Sequence, residues 1–288
     1  MESKKNSCCA VVSLYHPDVS TLERLLDSVC DVLDFVYLID NSDSFFSYES
    51  LRFDNIQVVR QVNSGMTGAL NRGIKESKFA YDYYLFLDQD SFFEKTVLEK
   101  YISRAVINNI KISAPVVFSY DNESVHADFL SRFDLDKQSN YISVDRTQLS
   151  GLFVSADCLE KVGLFNEDYF LNLGDTEWCL RACKADFKIL VHKDICIFHQ
   201  YAEGCKKAFF YKFHVSEPFR LYYRSRDSLR LIFNGSPFNI KVKLLFVLFV
   251  TPVEIMLTDR KMDRLSYFLK GFLGYLKREK GIFKNDLH

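Results

Sequence analysis

The chain has 288 residues, of which 48% are hydrophobic and 26% are charged. This composition allows a full core and excludes a disordered chain, and 11 glycines with 5 prolines exclude collagen-like and low-complexity classes. The net charge of −1 hides an asymmetry, because residues 1–205 carry 20 basic and 31 acidic side chains and residues 206–288 carry 17 and 7. A basic tail on an acidic body predicts contact with an anionic surface such as a membrane, a nucleic acid or a phosphorylated ligand.

The first half of the chain alternates apolar runs with segments of helical period. The runs predict buried strands at residues 8–14, 35–39, 56–59 and 83–87. The spacing of apolar residues predicts helices at residues 18–33, 68–77 and 96–108. Strands that alternate with helices indicate βαβ units and a mostly parallel sheet, so the predicted fold class is α/β.

The second half consists of short apolar runs between polar loops. Residues 112–118, 148–155, 188–191 and 195–199 predict strands, and residues 156–162, 176–185 and 209–233 predict helices. Residues 240–257 are strongly apolar, but their longest unbroken run, 244–250, is far shorter than the roughly 20 residues that span a bilayer. Flanking Lys and Arg residues favour a helix in the membrane interface over a spanning helix, and a helical hairpin packed on the domain stays open.

The chain has eight cysteines, and its polar start lacks a signal-peptide pattern. Both features predict a reducing cytosol and free thiols. A zinc site is the alternative, although the CxxC spacing of structural zinc sites is missing. Its candidate ligands are Cys179, Cys183, Cys196, His199 and Cys205.

Polar residues follow three of the predicted strands, at the sheet edge where open α/β proteins bind their ligands. Each position alone fits an ordinary turn, because Asp and Asn favour turns, but three at one edge indicate a site. They are Tyr15, His16 and Pro17 after the first strand, Asp40 and Asn41 after the second, and Asp88 and Asp90 after the fourth.

The segment Asp88-Gln89-Asp90 carries the sharpest chemical signal. Alternate residues of an extended segment point the same way, so both carboxylates reach into one place. Two neighbouring carboxylates repel each other unless a cation lies near them, and Mg²⁺ or Mn²⁺ binds carboxylate oxygens together with substrate phosphates. The segment therefore predicts a metal ion that bridges a diphosphate.

Residues 63–73 precede that strand and contain neither GxGxxG nor a Walker loop. Dinucleotide binding and P-loop phosphoryl transfer therefore have no support. The glycines, Gly65 among them, allow the backbone to approach a ligand closely, and Asn71 offers an amide to hydrogen-bond it. A helix N-terminus with glycine at its turn is the alternative interpretation.

In this order the motifs resemble those of the family-2 inverting glycosyltransferases, which have the GT-A fold. The matching segments are Leu14-Tyr15-His16-Pro17, Ile39-Asp40-Asn41-Ser42, residues 63–73 and Leu87-Asp88-Gln89-Asp90-Ser91, whose Asp-Gln-Asp-Ser form is similar to that of bacterial rhamnosyltransferases. The resemblance covers about residues 8–230. It implies a Rossmann-like nucleotide-sugar-binding and catalytic domain over 1–205 and a helical, basic and aromatic extension over 206–288.

The resemblance also implies site roles. The implied donor-binding residues are Tyr15, Pro17, Asp40, Asn41, Asn63, Gly65, Asn71, Asp88 and Arg226, the last in a Tyr-Tyr-x-x-Arg signature of the rhamnosyltransferases. The implied metal ligands are Asp90, His199 and Asp88, although the glycine that follows the family histidine is displaced here to Gly204. Gly151, Glu177 and Trp178 are implied on the acceptor side.

Asp175 is the implied catalytic base. Many members have Glu-Asp at this point, whereas this chain has Gly174-Asp175, and Glu177 is a rival. Inverting transfer needs one carboxylate to take the acceptor proton while a metal stabilises the departing diphosphate. A helix cap is the alternative role of Asp175, because it lies just before the predicted helix 176–185.

The leading hypothesis is a metal-dependent inverting glycosyltransferase whose donor is dTDP-rhamnose, with UDP-galactose or UDP-glucose as alternatives. We expect a saccharide acceptor, lipid-linked, at the cytoplasmic face of the inner membrane, as in O-antigen or capsule synthesis. A catalytically silent sugar- or nucleotide-binding module is a second hypothesis, motivated by Gly174 and the displaced glycine. Nucleic-acid binding is a third, and the acidic body and missing nucleic-acid motifs argue against it.

Overall fold

The computed structural model describes residues 6–44, 46–119, 138–199, 205–208 and 211–283, and for residues 119, 205–208 and 211–214 it describes the backbone alone. Contacts divide the chain into two units. The first unit comprises Met1–Phe165 and Trp178–Gln200, and the second unit comprises Asn166–Glu177 and Tyr201–His288.

The elements up to residue 119 belong to the first unit. They are β1 (Cys8–Leu14), α1 (Val19–Val29), β2 (Phe35–Asp40), β3 (Ile56–Arg60), α2 (Gly65–Glu76), β4 (Tyr83–Asp88), β5 (Ser91–Phe92), α3 (Lys95–Ile107) and β6 (Ile112–Ser119). After residue 137 come β7 (Tyr141–Val144), β8 (Leu152–Ser155), α4 (Ala156–Val162), α5 (Gly174–Lys184) and β9 (Ile189–His199). The first four residues of α5 are assigned to the second unit.

These strands form a nine-stranded sheet in the order β3-β2-β1-β4-β8-β6-β9-β5, with β7 also paired to β9. Strands β1 to β4 are parallel to one another, and β6 and β9 are parallel to each other. Because β8 is antiparallel to both β4 and β6, strands β4 and β6 run in the same direction. This is also the direction of β1, which is parallel to β4. β5 and β7 are antiparallel to β9. The predicted α/β class with a mostly parallel central sheet is confirmed.

The central strands bury both faces, which explains their continuous apolar runs. On one face, Ala10, Val12 and Leu14 of β1 pack in a cluster with residues of α1 and α3. On the other face, Cys9 and Val11 pack in a cluster with residues of α2, α4 and α5. The first unit is therefore a sheet between two helical layers, and the alternation of side chains along β1 supplies both cores.

Strand β9 was predicted as two strands and is continuous through His192-Lys193-Asp194. Polar residues interrupt the apolar pattern here, yet partners from neighbouring elements hold them in place. Asp194 pairs with Lys100 at 2.7 Å and with Arg104 at 2.5 Å, both on α3. His192 is buried, and its ring meets Tyr101 and Tyr141 edge-on, with centroids 4.9 Å away in each case.

His192 makes the stability of the protein pH-dependent. Burial, followed by the nearby charge of Arg104, lowers its pKa from 6.5 to about 4. Between pH 6.5 and pH 4 the His192 side chain is protonated in the unfolded chain but not in the folded chain. The free energy of unfolding therefore decreases as the pH falls from 6.5 toward 4. We expect the native protein to lose about 2 kcal/mol of unfolding free energy between pH 7 and pH 5 through this residue.

Urea denaturation of the native protein and of His192→Leu at pH 7 and pH 5 measures this loss of unfolding free energy. The leucine fills a similar apolar space and has no proton to bind, so its unfolding free energy should fall less between the two pH values. Equal pH dependence in the two proteins would remove His192 as the cause.

The second unit contains β10 (Cys205–Ala208), β11 (Tyr211–His214), α6 (Arg220–Phe233), α7 (Phe238–Met256) and α8 (Lys261–Leu276). Strands β10 and β11 form an antiparallel pair. Sequence predicted a helix from 209 onward, but the helix begins only after Pro218, which has no N–H to give to a preceding turn. Gly271 brings α8 against α6, because a Cβ there would collide with Ser225 and with the backbone of Tyr222.

Among the described helices, none has both the length and the apolar character that crossing a membrane requires.

Candidate functional site

The carboxyl ends of β1, β2 and β4 meet at one edge of the sheet. β1 lies between the other two, with Leu14 paired to Asp40 of β2 and Ser13 paired to Asp88 of β4. The polar residues that follow these three strands are therefore neighbours in space. This edge is where parallel α/β sheets bind ligands.

Asp40 is buried at this edge and its direction is fixed. The backbone N–H of Ser42 donates to its Oδ1 at 2.9 Å, and the Arg60 guanidinium lies 3.9 Å from Oδ2. Burial and then the nearby carboxylate of Asp40 raise the pKa of Tyr48. A carboxylate held in this way suits recognition of an N–H or O–H group on a ligand.

Gln89, the middle residue of Asp-Gln-Asp, joins the loop after β4 to the loop after β1. Its Oε1 accepts from the backbone N–H of Tyr15 at 2.8 Å, and its Nε2 donates to the carbonyl of Tyr15 at 3.1 Å. With the backbone held by these two hydrogen bonds, the Tyr15 ring is half exposed and packs edge-on against His16. Pro17 is buried. Gln89 thus fixes the backbone of Tyr15 against the turn that carries Asp88 and Asp90.

Asn41 and Asn63 build the loop that leads into α2. The Asn41 amide donates to the carbonyl of Gly65 at 3.0 Å, and its Oδ1 accepts from Gln61 at 2.8 Å. Asn63 Oδ1 accepts from the N–H of Gly65 at 3.0 Å. These contacts place the first turn of α2 beside the end of β2, so the two asparagines shape the edge of the site.

Asn71 lies further along α2 and is buried. Its Nδ2 donates to the carbonyl of Phe165 at 2.9 Å, and its Oδ1 accepts from the N–H of Phe165 at 2.9 Å. The side chain therefore ties α2 to the segment that follows α4. This contact gives Asn71 a structural role that the sequence prediction of a donor-binding amide had not included.

Asp88, Asp90 and His199 form the metal-ligand group. One potential ligand atom from each lies within 4.8 Å of the others. Asp88 and Asp90 flank the turn between β4 and β5, and Ser91 of β5 pairs in register with His199 at the end of β9. The pairing of β5 with β9, which no sequence signal had predicted, is what carries His199 to the aspartates.

Two buried serines contact the side chains of this group. The Ser150 hydroxyl donates to Asp88 Oδ2, and the Ser91 hydroxyl lies 3.1 Å from Ser150 and 2.7 Å from His199 Nδ1. Asp90 Oδ1 lies 3.2 Å from the same ring nitrogen. Ser91 and Ser150 therefore link two of the three ligands, and sequence analysis had not assigned this linking role to either of them.

The electrostatics of the group favour a cation. Burial alone would lower the pKa of His199, but the hydrogen bond to Asp90 and the charges of Asp90 and Asp88 outweigh it, and the net effect raises that pKa. Two carboxylates and an imidazole are oxygen and nitrogen donors that suit Mg²⁺ or Mn²⁺. The residues present therefore fit a divalent cation.

Gly151 holds Ser150 in place. Its φ of +83° is left-handed, and a Cβ would collide with the ring of Pro115, so only glycine fits. The Tyr101 hydroxyl donates to its carbonyl at 2.9 Å, and its N–H bonds to the carbonyl of Phe86. The structure thus places Gly151 behind the metal-ligand group, on the side of Asp88.

Asp175 and Glu177 lie in the first turn of α5 and are grouped with the second unit. Asp175 is half-buried, and its Oδ1 accepts from the N–H of Thr176 at 2.6 Å. One carboxylate oxygen of Glu177 is buried, and the charge of Glu177 acts on Tyr169, whose pKa is raised mainly by burial. The N-terminal end of the helix dipole attracts both carboxylates.

Trp178 differs from its predicted acceptor-side role. It is fully buried in the first unit, where its Nε1 donates to the carbonyl of Gly163 at 2.9 Å and its ring packs against Phe165. Arg181 on the same helix donates to the carbonyls of Val162 and Leu164 at 2.7 and 2.8 Å. Both residues fasten α5 to the segment after α4, so Trp178 presents no surface to an acceptor.

Arg226 differs from its predicted donor-binding role. It is 0% exposed within the second unit, and its guanidinium is shared among the carboxylate of Asp227 and the carbonyls of Gly281 and Asp168. Asp227 also pairs with Arg230 at 3.1 Å. A guanidinium with its donors bonded inside a core has no face for a diphosphate, so Arg226 is a structural residue here.

The zinc alternative has no support among the described residues. The ligand group found there is the Asp, Asp and His group described above, and Cys179 is buried in the core while Cys183 donates to the carbonyl of Asp145. The side chain of Cys205 and the segment with Gly204 lie outside what the structure describes.

Comparison with known proteins places the chain in a family. Residues 9–170, more than half of the chain, match Glycosyl transferase family 2. The chain belongs to that family. A curated relative, the dTDP-rhamnosyl transferase RfbF of Shigella flexneri, is 26% identical over an alignment of 288 positions that covers 95% of each chain.

Two solved structures share the fold of this family member. S. aureus TarS 1–349 in complex with UDP-GlcNAc is 14% identical with a TM-score of 0.60, covering 94% of this chain and 81% of that one. GalNAc-T7 with UDP, GalNAc and Mn²⁺ is 13% identical with a TM-score of 0.57, and this chain spans 56% of that chain's length. The expected GT-A fold is confirmed, and the chain is a nucleotide-sugar glycosyltransferase of family 2.

Proposed function

We propose that this family 2 glycosyltransferase is an inverting rhamnosyltransferase that depends on Mg²⁺ or Mn²⁺. The observation that carries the proposal is the convergence of Asp88, Asp90 and His199 at the carboxyl edge of the sheet. A cation held there would offset the negative charge of a nucleoside diphosphate as it leaves the sugar. The Mn²⁺ in the GalNAc-T7 structure supports a cation on this fold.

The proposed donor is dTDP-rhamnose. The support is the relative RfbF, a dTDP-rhamnosyl transferase that is 26% identical and aligns over 95% of this chain. TarS binds UDP-GlcNAc on the same fold, so UDP-sugars such as UDP-galactose and UDP-glucose are the competitors. In our proposal the nucleobase and ribose of the donor bind at the sheet edge around Tyr15 and Asp40. There Gln89 holds the backbone of Tyr15, and Ser42 holds the carboxylate of Asp40.

Asp175 is the proposed base of the transfer step. Its carboxylate takes the proton of the acceptor hydroxyl while that oxygen forms a bond to the anomeric carbon. At the same time the bond from this carbon to the diphosphate oxygen breaks, and its electron pair stays with the nucleoside diphosphate. Attack from the side opposite the leaving group inverts the anomeric carbon.

The rival base, Glu177, is less well suited. One of its carboxylate oxygens is buried, and its charge acts on the buried Tyr169. Asp175 stands two residues earlier in the first turn, and both residues are half-buried. A base that must meet an incoming hydroxyl needs an accessible oxygen, which the buried oxygen of Glu177 does not provide.

The proposed acceptor is a saccharide carried by a lipid, met at the inner face of the cell membrane during surface polysaccharide synthesis. The excess of basic over acidic residues in 206–288, 17 against 7, supports an anionic surface as the meeting place. The C-terminal helices offer the contact.

A donor panel tests the proposal. The melting temperature of the protein is measured with dTDP-rhamnose, UDP-galactose, UDP-glucose and UDP-GlcNAc, each with Mn²⁺ and with EDTA. A ligand that binds only the folded chain raises its stability, so dTDP-rhamnose with Mn²⁺ should give the largest shift. Hydrolysis of the same donor then separates an enzyme from a silent binding module. A larger shift with a UDP-sugar, or equal shifts with EDTA, would contradict the proposed donor or the proposed metal.

Ser150 is expected to support metal binding without touching the metal. Ser150→Ala removes the donor to Asp88 and the link to Ser91, so we expect Mn²⁺ affinity to fall by about tenfold or more. Calorimetric titration with Mn²⁺ measures it. Ser28→Ala is the matched control, because Ser28 is a buried serine that bonds only within α1. Equal affinity in the two variants would remove Ser150 from the support of the ligands.

A further inference from the structure

The second unit exposes an apolar face on helix α7. From residue 245 to residue 257 every exposed side chain is apolar, and the one acid in that stretch, Glu254, is buried and paired with Arg224 of α6. We call the following set the α7 face: Leu245, Phe246, Phe249, Val253 and Met256, which are 45% to 80% exposed. Large apolar surfaces of this kind mark interaction sites in soluble proteins.

The opposite side of α7 is already occupied. Ile240, Leu244, Leu248 and Ile255 are buried, and the ion pair between Glu254 and Arg224 joins α7 to α6. Lipid therefore has access to one side of the helix only. A helix with one buried side and one apolar outer side fits a position in the plane of a membrane interface.

A second apolar stripe runs along α8. Its exposed members are three or four residues apart, as on one face of a helix: Met262, Leu265, Leu269, Leu273 and Leu276. Helix α8 packs on α6 through its other side, where Gly271 and Gly274 meet Tyr222 and Ser225. Both helices thus keep an apolar side exposed within the second unit.

The charges around these stripes are mainly positive. Residues 238–283 hold six Lys and three Arg against two Glu and two Asp. Lys241 and Lys243 precede the α7 face and Lys261 follows it, while Lys270 lies on α8 and Lys277 directly follows that helix. Apolar surface bordered by lysines complements a bilayer with anionic headgroups. In a symmetric dimer through the same face, these lysines would lie near their own copies and repel them.

We propose that the α7 face inserts into the interface of an anionic lipid bilayer, with the surrounding lysines on the headgroups. The proposal rests on the proposed function only in naming a membrane as the place where the acceptor is met. It assigns the contact to particular side chains on α7.

A tryptophan reporter tests insertion directly. The chain has one Trp, Trp178, which is buried, so Phe249→Trp adds a second emitter at a position that is 80% exposed. With vesicles that contain phosphatidylglycerol we expect its emission to shift to the blue and to be quenched by lipids brominated in the upper acyl chain. Vesicles of phosphatidylcholine alone should give a weaker response, and high salt should weaken the anionic case.

A variant that lacks the apolar α7 face provides a second test. The double change Phe246→Glu with Phe249→Glu should lower affinity for the anionic vesicles by about tenfold or more, because it removes apolar area and adds repulsion. Ile107→Glu is the control, since Ile107 is also 80% exposed but lies on α3 of the first unit. Hydrolysis of the nucleotide-sugar in solution should be unchanged in both variants.

Two results would overturn the proposal. One is vesicle binding that the double variant retains in full. The other is absence of vesicle binding together with a native dimer, seen by light scattering, that the double variant dissociates, because a second copy would then cover the face. Vesicle binding by a protein that hydrolyses no nucleotide-sugar would leave the α7 proposal standing and reject the enzymatic one.

Discussion

Asp90→Ala is expected to lower sugar transfer by about a thousandfold, because the proposed cation, which would offset the charge of the leaving diphosphate, would lose a ligand. Asp90 contributes one of three potential ligand atoms that lie within 4.8 Å of one another, and it also pairs with His199. The variant should lose the part of its nucleotide affinity that EDTA removes from the native protein. Transfer to a synthetic saccharide acceptor and nucleotide titration with Mn²⁺ or EDTA measure the two effects.

Asp31→Ala is the control for this experiment. Asp31 is an exposed aspartate of the same unit that pairs with Lys95 at the surface, and such pairs contribute little to stability. We expect its transfer rate and nucleotide affinity to equal those of the native protein. Native turnover by Asp90→Ala would reject the assignment of the metal-ligand group.

Asp175→Asn is expected to lower the transfer rate by about a hundredfold to ten-thousandfold and to leave Mn²⁺-dependent nucleotide affinity unchanged. The amide keeps the size of the side chain and its carbonyl oxygen can still accept the N–H of Thr176, so the start of α5 should persist. Only the ability to take a proton is removed. A fall in kcat at constant donor affinity is the signature that a merely structural role would not give.

Glu177→Gln separates the two carboxylates of the first turn of α5. We expect it to retain most of the native transfer rate, since the proposed base is still present. If Glu177→Gln is inactive while Asp175→Asn transfers sugar normally, Glu177 is the base.

Sequence alone predicted the central strands of the first unit well. β1, β2, β3 and β4 agree with the prediction within one residue at each end. For β1, β2 and β4 the reason is that strands buried on both faces are continuous apolar runs. It failed where partners distant in the chain decide the structure. Strand β9 continues through three polar residues because α3 and β7 hold Asp194 and His192.

The site, too, was predictable only where it depends on local sequence and not on partners distant in the chain. Asp88 and Asp90 follow a strand, so a local pattern predicted them. Ser91 and Ser150 are far apart in the chain, and only the pairing of β5 with β9 and the turn at Gly151 reveal that they join two ligands. Arg226 sits in a recognisable motif, but its burial beside Asp227 depends on the tertiary structure of the second unit.

Electron-nuclear double resonance of the native protein loaded with Mn²⁺ and dTDP tests the metal-ligand group directly. We expect a nitrogen coupling from His199, which disappears in His199→Ala, and a phosphorus coupling from the diphosphate in the same sample. A Mn²⁺ signal with neither coupling would contradict the claim that Asp88, Asp90 and His199 hold the cation on the donor diphosphate.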